Sequence, residues 1–201
     1  MSFSLATVIY GDETYQKNLE PCTKTSEISK LWRFRSSGKF PVARAYNRVI
    51  DNSDGCDYVV FAHPDVKFSE EFLGNVSSLF SSMPELGVIG TCGEDISGKT
   101  IRANKKETMR DLAFVDSCLF AVRKSEAIRF DSKRFPGFHM YAEDLCCEYR
   151  WSGKRVVCIL DVGFKHFSTT FKKEGPCWGS YCSDREKMAR KWKGKVNVVI
   201  S

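Results

Sequence analysis

The chain has 201 residues, of which 42% are hydrophobic and 28% charged, and its formal net charge at pH 7 is +6. This length fits one domain that buries roughly two-thirds of its unfolded surface, and the composition excludes disordered, fibrous and disulfide-dependent proteins. The longest apolar runs are far shorter than the roughly 20 residues of a membrane-spanning helix, so we expect no membrane span.

Short apolar runs alternate with helical stretches, which is the pattern of an α/β domain. We predict, in chain order, a strand at residues 3–10, a helix at 14–20, a strand at 31–35, a helix at 41–50, a strand at 58–62, a helix at 70–80 and a strand at 86–90. Loops with a hairpin follow at 91–110, and then come a strand at 112–122, a helix at 141–152, a strand at 155–159, a helix at 184–193 and a strand at 196–200. This order predicts a single domain with a mostly parallel central sheet flanked by helices.

Nine cysteines are scattered along the chain without a Cys-x-x-Cys pair, and three histidines accompany them. The N-terminus lacks the basic segment and cleavage signature of a signal peptide, so the odd number of cysteines predicts free thiols and a cytoplasmic location. This spacing does not predict a structural zinc site. We interpret Cys146 and Cys147 as buried apolar residues rather than as a thiol nucleophile paired with His139.

Polar side chains follow several of the predicted buried strands or begin a predicted helix. In open α/β sheets, ligands bind beyond the carboxyl ends of the strands, so residues at these positions are candidates for a site. They are His63, Asp65, Thr91, Cys92, Glu143, Asp144 and His166. Carboxylate and imidazole donors suit Mn²⁺ or Mg²⁺ that is bound with help from substrate phosphates.

Seven segments carry a resemblance to a known family. They are the first strand, FPVARAYN at 40–47, YVVFAHPDV at 58–66, GVIG at 87–90, VDSC at 115–118, FHMYAEDL at 138–145 and GKRV at 153–156. In this order and spacing, over roughly residues 3–168, they resemble family-2-like glycosyltransferases of the GT-A fold. The resemblance implies a Rossmann-like GT-A domain. It also implies metal-dependent, inverting transfer from a nucleotide-diphosphate sugar, with a UDP-sugar favoured, to a hydroxyl of a glycan or glycoconjugate.

The resemblance also implies the metal ligands. His63-Pro64-Asp65 stands where such enzymes carry an Asp-x-Asp motif, so Asp65 is expected to bind Mn²⁺ or Mg²⁺ and His166 to complete the site. His63 replaces the first Asp and is expected to contact the ribose or a phosphate. The alternatives are that Asp65 caps the chain before Ser69 and that His166 is a buried residue between phenylalanines.

Catalysis is assigned by the resemblance to the acidic pair Glu143 and Asp144, with Asp144 as the general base that deprotonates the acceptor hydroxyl. The alternative is that two carboxylates at a helix start simply interact well with the helix dipole.

Further residues are expected to bind the donor or the acceptor. The donor candidates are Tyr10, Gly11, Asp12, Arg44, Asn47, His63, Asp65, Lys172 and Lys173. The candidates for the acceptor or the transferred sugar are Asp116, His139 and Trp178.

The C-terminal part is basic, since residues 172–195 hold eight lysines or arginines and three acidic residues. We predict one glycosyltransferase domain over 1–201, complete or cut from a longer polypeptide, in which 169–195 form a flexible basic lid and a C-terminal helix. Lys172 and Lys173 would offset the charge of the diphosphate, and Trp178 would cover the sugar.

Two other functions fit parts of the sequence. The missing first Asp at position 63 is compatible with a noncatalytic module on the same fold that binds a nucleotide sugar or carbohydrate. The basic segment could instead bind nucleic acid, but few aromatic residues interleave with it and no nucleic-acid-binding signature is present. We therefore expect a nucleotide-sugar donor and a glycan acceptor as partners, and no nucleic acid.

Overall fold

The computed structural model describes residues 1–36, 41–102, 107–167 and 178–198. Its first half contains β1 (Phe3–Ile9), α1 (Asp12–Lys17), α2 (Leu19–Cys22), β2 (Ile28–Arg35), α3 (Val42–Asn52), β3 (Tyr58–Ala62), β4 (Val66–Phe68), α4 (Glu70–Ser82) and β5 (Leu86–Gly90). The second half contains β6 (Gly93–Glu94), β7 (Thr100–Ile101), β8 (Met109–Asp111), β9 (Phe114–Val115), β10 (Leu119–Arg123), α5 (Tyr141–Trp151), β11 (Arg155–Ile159), β12 (Phe164–His166) and α6 (Trp178–Trp192).

Within the described residues, the central sheet has seven strands in the order β2-β1-β3-β10-β5-β11-β8. Strands β2, β1, β3, β5 and β11 run in one direction, while β10 and β8 run in the opposite direction. The predicted α/β class with a mostly parallel sheet is therefore confirmed. Two smaller sheets, β12-β4 and β7-β6-β9, lie beside it.

The central strands are buried on both faces, which explains why they appear in the sequence as continuous apolar runs. Along β3, Val59 and Phe61 belong to one hydrophobic cluster, whereas Val60 and Ala62 belong to the other. The first cluster includes the buried faces of α3, α5 and α6, and the second includes those of α1 and α4. The alternation of side chains along each strand thus divides the core into two layers. No helix of the described ranges has the length and apolar character required to cross a membrane.

Several predicted boundaries were wrong. The continuous strand predicted at 112–122 is broken into β9 and β10, because the Asp116 side chain accepts a hydrogen bond from the Cys118 amide at 2.9 Å. The helix predicted at 14–20 is divided at Asn18, whose side chain donates to the Thr14 carbonyl. Helix α6 begins earlier than predicted, and residues 196–198 are not in a strand; residues 199–201 lie outside the described ranges. The short β4 and β12 were not predicted.

Asn47, a predicted donor-binding residue, makes its side-chain hydrogen bonds within the fold. Its side chain is only 4% exposed on α3. It donates to the Phe130 carbonyl at 2.9 Å and accepts from the Phe130 amide at 2.8 Å. The pair of hydrogen bonds satisfies both backbone groups of a buried residue that lies 83 positions away along the chain. Asn47 therefore holds the segment between β10 and α5 against α3.

We expect Asn47→Ala to lower the free energy of unfolding by about 2–4 kcal/mol, because it leaves two buried backbone groups without partners. Chemical denaturation followed by circular dichroism measures this change. The control is Asn52→Ala on the same helix, where the lost hydrogen bond to the Arg48 carbonyl is exposed. The control should cost less than about 1 kcal/mol. Equal losses in the two variants would contradict the structural role of Asn47.

Candidate active site

The carboxyl ends of β3 and β5 meet the beginning of β10, which runs antiparallel between them. The amide of His63 donates to the Cys118 carbonyl at 2.8 Å, and the amide of Asp116 donates to the Cys92 carbonyl at 2.9 Å. These bonds continue the strand pairing beyond the sheet. As a result, the polar residues that follow β3 and β5 and those that precede β10 gather at one edge.

A cluster of three donor side chains lies at this edge. One nitrogen each of His63 and His166 and one oxygen of Asp65 all lie within 4.8 Å of one another. His166 reaches the cluster because β12 pairs with β4, which places it opposite Val66 and beside Asp65. The Phe167 amide also donates to the Asp65 carbonyl at 2.9 Å, which fixes the position of β12.

Two atoms of the cluster have unused capacity for bonding. Asp65 Oδ1 and His166 Nε2 are buried, and neither has a hydrogen-bond partner among the described residues. They lie 3.4 Å from each other, close enough for electrostatic attraction but without hydrogen-bond alignment. A buried polar atom without a partner is costly, and a cation bound between the two atoms would remove that cost. The residues present therefore fit a divalent cation.

The electrostatics of the cluster favour an anionic carboxylate between imidazoles. Burial alone would raise the pKa of Asp65, but His166 and then His63 lower it below its usual value. Burial lowers the pKa of His63, which keeps this imidazole neutral, although Asp116 and Asp65 oppose the shift. Burial lowers the pKa of His166, but the Asp65 carboxylate outweighs this effect and raises it above its usual value. A carboxylate and neutral imidazole are the protonation states that bind a metal ion, so a bound cation competes with a proton for His166.

Tyr10 closes the other side of the cluster. Tyr10 is 52% exposed, yet its phenol lies close enough to Asp65 to respond to the charge of that carboxylate. Burial, and then the negative charge of Asp65, raise the pKa of the Tyr10 phenol. Its neighbours Gly11 and Asp12 follow β1 at the start of α1, where Asp12 forms an ion pair with Arg35. The structure thus places Tyr10 at the cluster and leaves Asp12 in an exposed ion pair.

A cavity of about 320 Å³ lies next to Asp116. Its walls are formed by the small sheet of β6, β7 and β9, by the start of α5 and by one face of α6. Asp116 and Glu143 both face it. Helix α5 begins directly after Met140, which has a left-handed backbone with φ of 60°, a conformation uncommon for a residue with a side chain.

Glu143 has the properties of a general acid or base in this cavity. Its Oε2 atom is buried and has no hydrogen-bond partner in the described part of the chain. Burial raises the pKa of Glu143 to about 8, and the neighbouring carboxylates Asp116 and Glu94 contribute to the increase. A carboxyl group with a pKa near neutrality is suited to general acid or base chemistry.

Asp144, which the sequence analysis assigned as the base, does not line the cavity. Its side chain is 1% exposed and accepts a hydrogen bond from the Trp192 indole at 2.7 Å. Lys191 Nζ lies 2.9 Å from the same carboxylate and also 2.8 Å from Glu148. Burial raises the pKa of Asp144, although Lys191 and Trp192 oppose the increase. The geometry gives Asp144 the role of joining α5 to α6.

The remaining predicted residues lie at different distances from the cavity. Tyr181, which lines the cavity wall, stacks on Trp178 with ring centroids 5.4 Å apart and meets His139 edge-on at 5.6 Å. Trp178 and His139 therefore lie at the cavity behind Tyr181. Arg44 is exposed on α3. Lys172 and Lys173, and with them most of the predicted lid, lie outside the described residues.

Sequence reasoning missed several residues that line the cavity, namely Glu94, Arg102, Tyr181, Arg185 and Met188. A signal was present for α6, because Trp178, Tyr181, Arg185 and Met188 recur every three or four positions and so share one helical face. The basic character of the segment concealed this stripe. Part of that charge is used within the helix, since Lys187 pairs with Asp184 at 2.8 Å.

No model of a known protein family matches the sequence, and no curated protein matches it in a sequence search. The fold does match solved structures. GalNAc-T7, solved with UDP, GalNAc and Mn²⁺, aligns with a TM-score of 0.70 at 8% identity over 97% of this chain and 48% of GalNAc-T7. TarS 1–349 of S. aureus, solved with UDP-GlcNAc, aligns with a TM-score of 0.60 at 12% identity over 97% of this chain and 67% of TarS.

A third structure, A197 from STIV, is similar to this chain in length as well as fold. It aligns with a TM-score of 0.55 at 12% identity over 84% of this chain and 87% of A197. This chain spans about half the length of GalNAc-T7. The chain has the GT-A fold of glycosyltransferases such as GalNAc-T7 and TarS, and the fold predicted from the sequence is confirmed.

We expect Glu143→Gln to become more stable relative to the wild type as the pH rises from about 4.5 to about 8. The fold raises the pKa of Glu143 from 4.5 to about 8, so the ionised form is disfavoured in the folded state. The wild type therefore loses stability across this interval, and the uncharged amide does not. Chemical denaturation at several pH values measures the difference. Glu70→Gln, which removes an exposed carboxylate from α4, is the control for the loss of one charge. If the difference in the free energy of unfolding between Glu143→Gln and the wild type did not change with pH, the buried environment assigned to Glu143 would be contradicted.

Proposed function

We propose that this chain is a metal-dependent glycosyltransferase that transfers a sugar from a nucleotide-diphosphate sugar to a hydroxyl of a glycan or glycoconjugate. The observation that carries the proposal is the cluster of His63, Asp65 and His166, with two buried atoms that lack hydrogen-bond partners among the described residues, at the strand edge where open α/β sheets bind ligands. The GT-A fold supports it, because GalNAc-T7 and TarS were solved with UDP or UDP-GlcNAc. These ligands favour a UDP-sugar as the donor.

Asp65 and His166, with His63 beside them, would hold Mn²⁺ or Mg²⁺. The imidazole donors favour Mn²⁺, which accepts nitrogen ligands more readily than Mg²⁺ does. When bound, the cation supplies positive charge that stabilises the departing diphosphate. Tyr10 and Gly11, at the end of β1, are proposed to contact the nucleoside. The predicted contributions of Lys172 and Lys173 concern residues beyond the described ranges and stay predictions.

Glu143, rather than Asp144, is proposed as the general base. Its carboxylate faces the cavity, whereas the Asp144 carboxylate is held by Trp192 and Lys191. Glu143 would accept the proton of the acceptor hydroxyl as the acceptor oxygen bonds to C1 of the sugar and the bond from C1 to the diphosphate breaks. One displacement of this kind inverts the configuration at C1. Asp116 would bind the sugar or the acceptor, with His139 and Trp178 further along the cavity.

We propose that the chain forms one catalytic domain, complete or cut from a longer polypeptide, and the free thiols of the described cysteines agree with a cytoplasmic location. A second candidate is a noncatalytic module that binds a nucleotide sugar on the same fold. The presence of His63 in place of the first Asp of the motif favours it. The two functions share donor binding and differ in turnover, so separate measurements of binding and of transfer distinguish them.

We expect UDP with Mn²⁺ to stabilise the wild type, with about 2.7 kcal/mol gained when UDP is present at about 100 times its dissociation constant. Chelation of the metal with EDTA should abolish the effect. Asp65→Asn should lose most of it, because an amide is a poor ligand for a divalent cation. Thermal denaturation with and without ligand measures the shift. The matched control is Asp54→Asn, an exposed carboxylate paired with Lys124. An unchanged shift in Asp65→Asn would refute the assigned donor site.

We expect Glu143→Gln to lower kcat for sugar transfer by about 10²–10⁴-fold while the dissociation constant of the donor stays within a factor of two or so, because the amide cannot accept a proton. Asp144→Asn should lower the free energy of unfolding instead, and its folded fraction should keep most of the transfer rate. Radiolabelled transfer assays and donor titrations give these values. A large loss of kcat in Asp144→Asn together with a nearly unchanged kcat in Glu143→Gln would identify Asp144 as the base. A wild type that binds the donor but transfers no sugar would favour the noncatalytic module.

A further inference from the structure

Two cysteines and an aspartate form a second cluster beside the cavity. Gly90 pairs with Phe120 across β5 and β10, and continuing this register by two residues places Cys92 opposite Cys118. Their sulfur atoms lie 3.5 Å apart. One donor atom each of Cys92, Asp116 and Cys118 all lie within 4.8 Å of one another.

Backbone hydrogen bonds hold the three residues in this arrangement. The Asp116 amide donates to the Cys92 carbonyl at 2.9 Å, and the Cys118 amide donates to Asp116 Oδ1 at 2.9 Å. Cys118 is fully buried, Cys92 is half-buried, and Cys92 and Asp116 both line the cavity wall. The cluster is thus anchored on the protein side and open on the cavity side.

We propose that Cys92, Asp116 and Cys118 form a second cation site, which binds a thiophilic divalent ion such as Zn²⁺. A zinc–sulfur bond is ~2.3 Å long, so two sulfur ligands of a tetrahedral ion lie about 3.8 Å apart, close to the separation in this fold. The carboxylate supplies a third ligand. Three protein ligands and an open fourth position toward a cavity are the arrangement of an accessible zinc site rather than of a closed structural one.

The ligands of this site differ in chemistry from those of the His63, Asp65 and His166 cluster. Thiolates select soft cations such as Zn²⁺, whereas a carboxylate with imidazoles also accepts Mn²⁺. Binding exchanges the two thiol protons for the cation, and the protons pass to the buffer. The alternative is a disulfide between Cys92 and Cys118, but a disulfide would give the nearby Asp116 carboxylate no role, whereas a cation would use it as a ligand. An ion at this site would narrow the cavity at Cys92 and Asp116 and so compete with ligands that enter it.

The test is a titration of the reduced protein with Co²⁺ under anaerobic conditions. Co²⁺ substitutes for Zn²⁺, and its bonds to thiolates produce a charge-transfer absorption that imidazole and carboxylate ligands do not. We expect this absorption to saturate within two ions per chain, because the His63, Asp65 and His166 cluster also takes up Co²⁺, and we expect Zn²⁺ to displace it. Asp65→Asn should retain the absorption, because its carboxylate belongs to the other cluster.

Cys92→Ser should abolish the absorption or weaken Co²⁺ binding by more than about tenfold, since even outer-shell changes cost about 10–100-fold in metal affinity. It is preferable to a change at the fully buried Cys118, which could prevent folding. Cys22→Ser is the matched control, because Cys22 is also half-buried and serine can make its two backbone hydrogen bonds. Absence of the absorption in the reduced wild type, or its survival unchanged in Cys92→Ser, would overturn the proposal.

Discussion

The structure of the site depends on one reversed strand. Because β10 runs antiparallel between β3 and β5, the segment before it begins at the edge where those two strands end. A parallel strand at this position would deliver its preceding residues to the opposite edge. The hydrogen bonds of His63 to Cys118 and of Asp116 to Cys92 extend the pairing past the sheet. The reversal therefore brings the imidazole cluster, the thiol pair and the cavity carboxylates into one neighbourhood.

Glu143 and Asp144 are adjacent on α5, but the packing of the helix gives their carboxylates different surroundings. Successive residues of a helix point about 100° apart, so Glu143 and Asp144 cannot face the same surroundings. Helix α6 covers one of these directions, and there Asp144 is held by Lys191 and Trp192. The other direction opens into the cavity, where Glu143 has no such partner among the described residues. Burial raises the pKa of both groups, but Lys191 and Trp192 oppose the increase at Asp144, whereas the carboxylates of Asp116 and Glu94 add to it at Glu143.

Much of the fold could be predicted from the sequence because the buried strands are continuous apolar runs, and β3 and β5 match their predicted bounds. The site was harder to predict. Which of Glu143 and Asp144 faces the cavity depends on where α6 packs, and the residues at the start of α5 do not indicate that position. The amide of Asn47 is of a type that often binds ligands, but here it bonds to the backbone of Phe130. Because Phe130 lies 83 residues away along the chain, the local sequence does not indicate this contact. The break at Asp116 was hidden since apolar residues continue on both sides of it.

The two-stranded ribbon of β4 and β12 has a consequence for how this chain can change in evolution. His166 faces Val66, and its neighbour Lys165 faces Lys67 on the alternate side. Because side chains alternate along a strand, a slip by one residue would exchange neighbouring side chains between the two faces. An insertion or deletion in either strand could then place the ammonium of Lys165 beside Asp65 in place of an imidazole. The ammonium would then cancel the negative charge of Asp65, so the corner would no longer attract a cation, while changes in the length of the loops outside the ribbon would not have this effect.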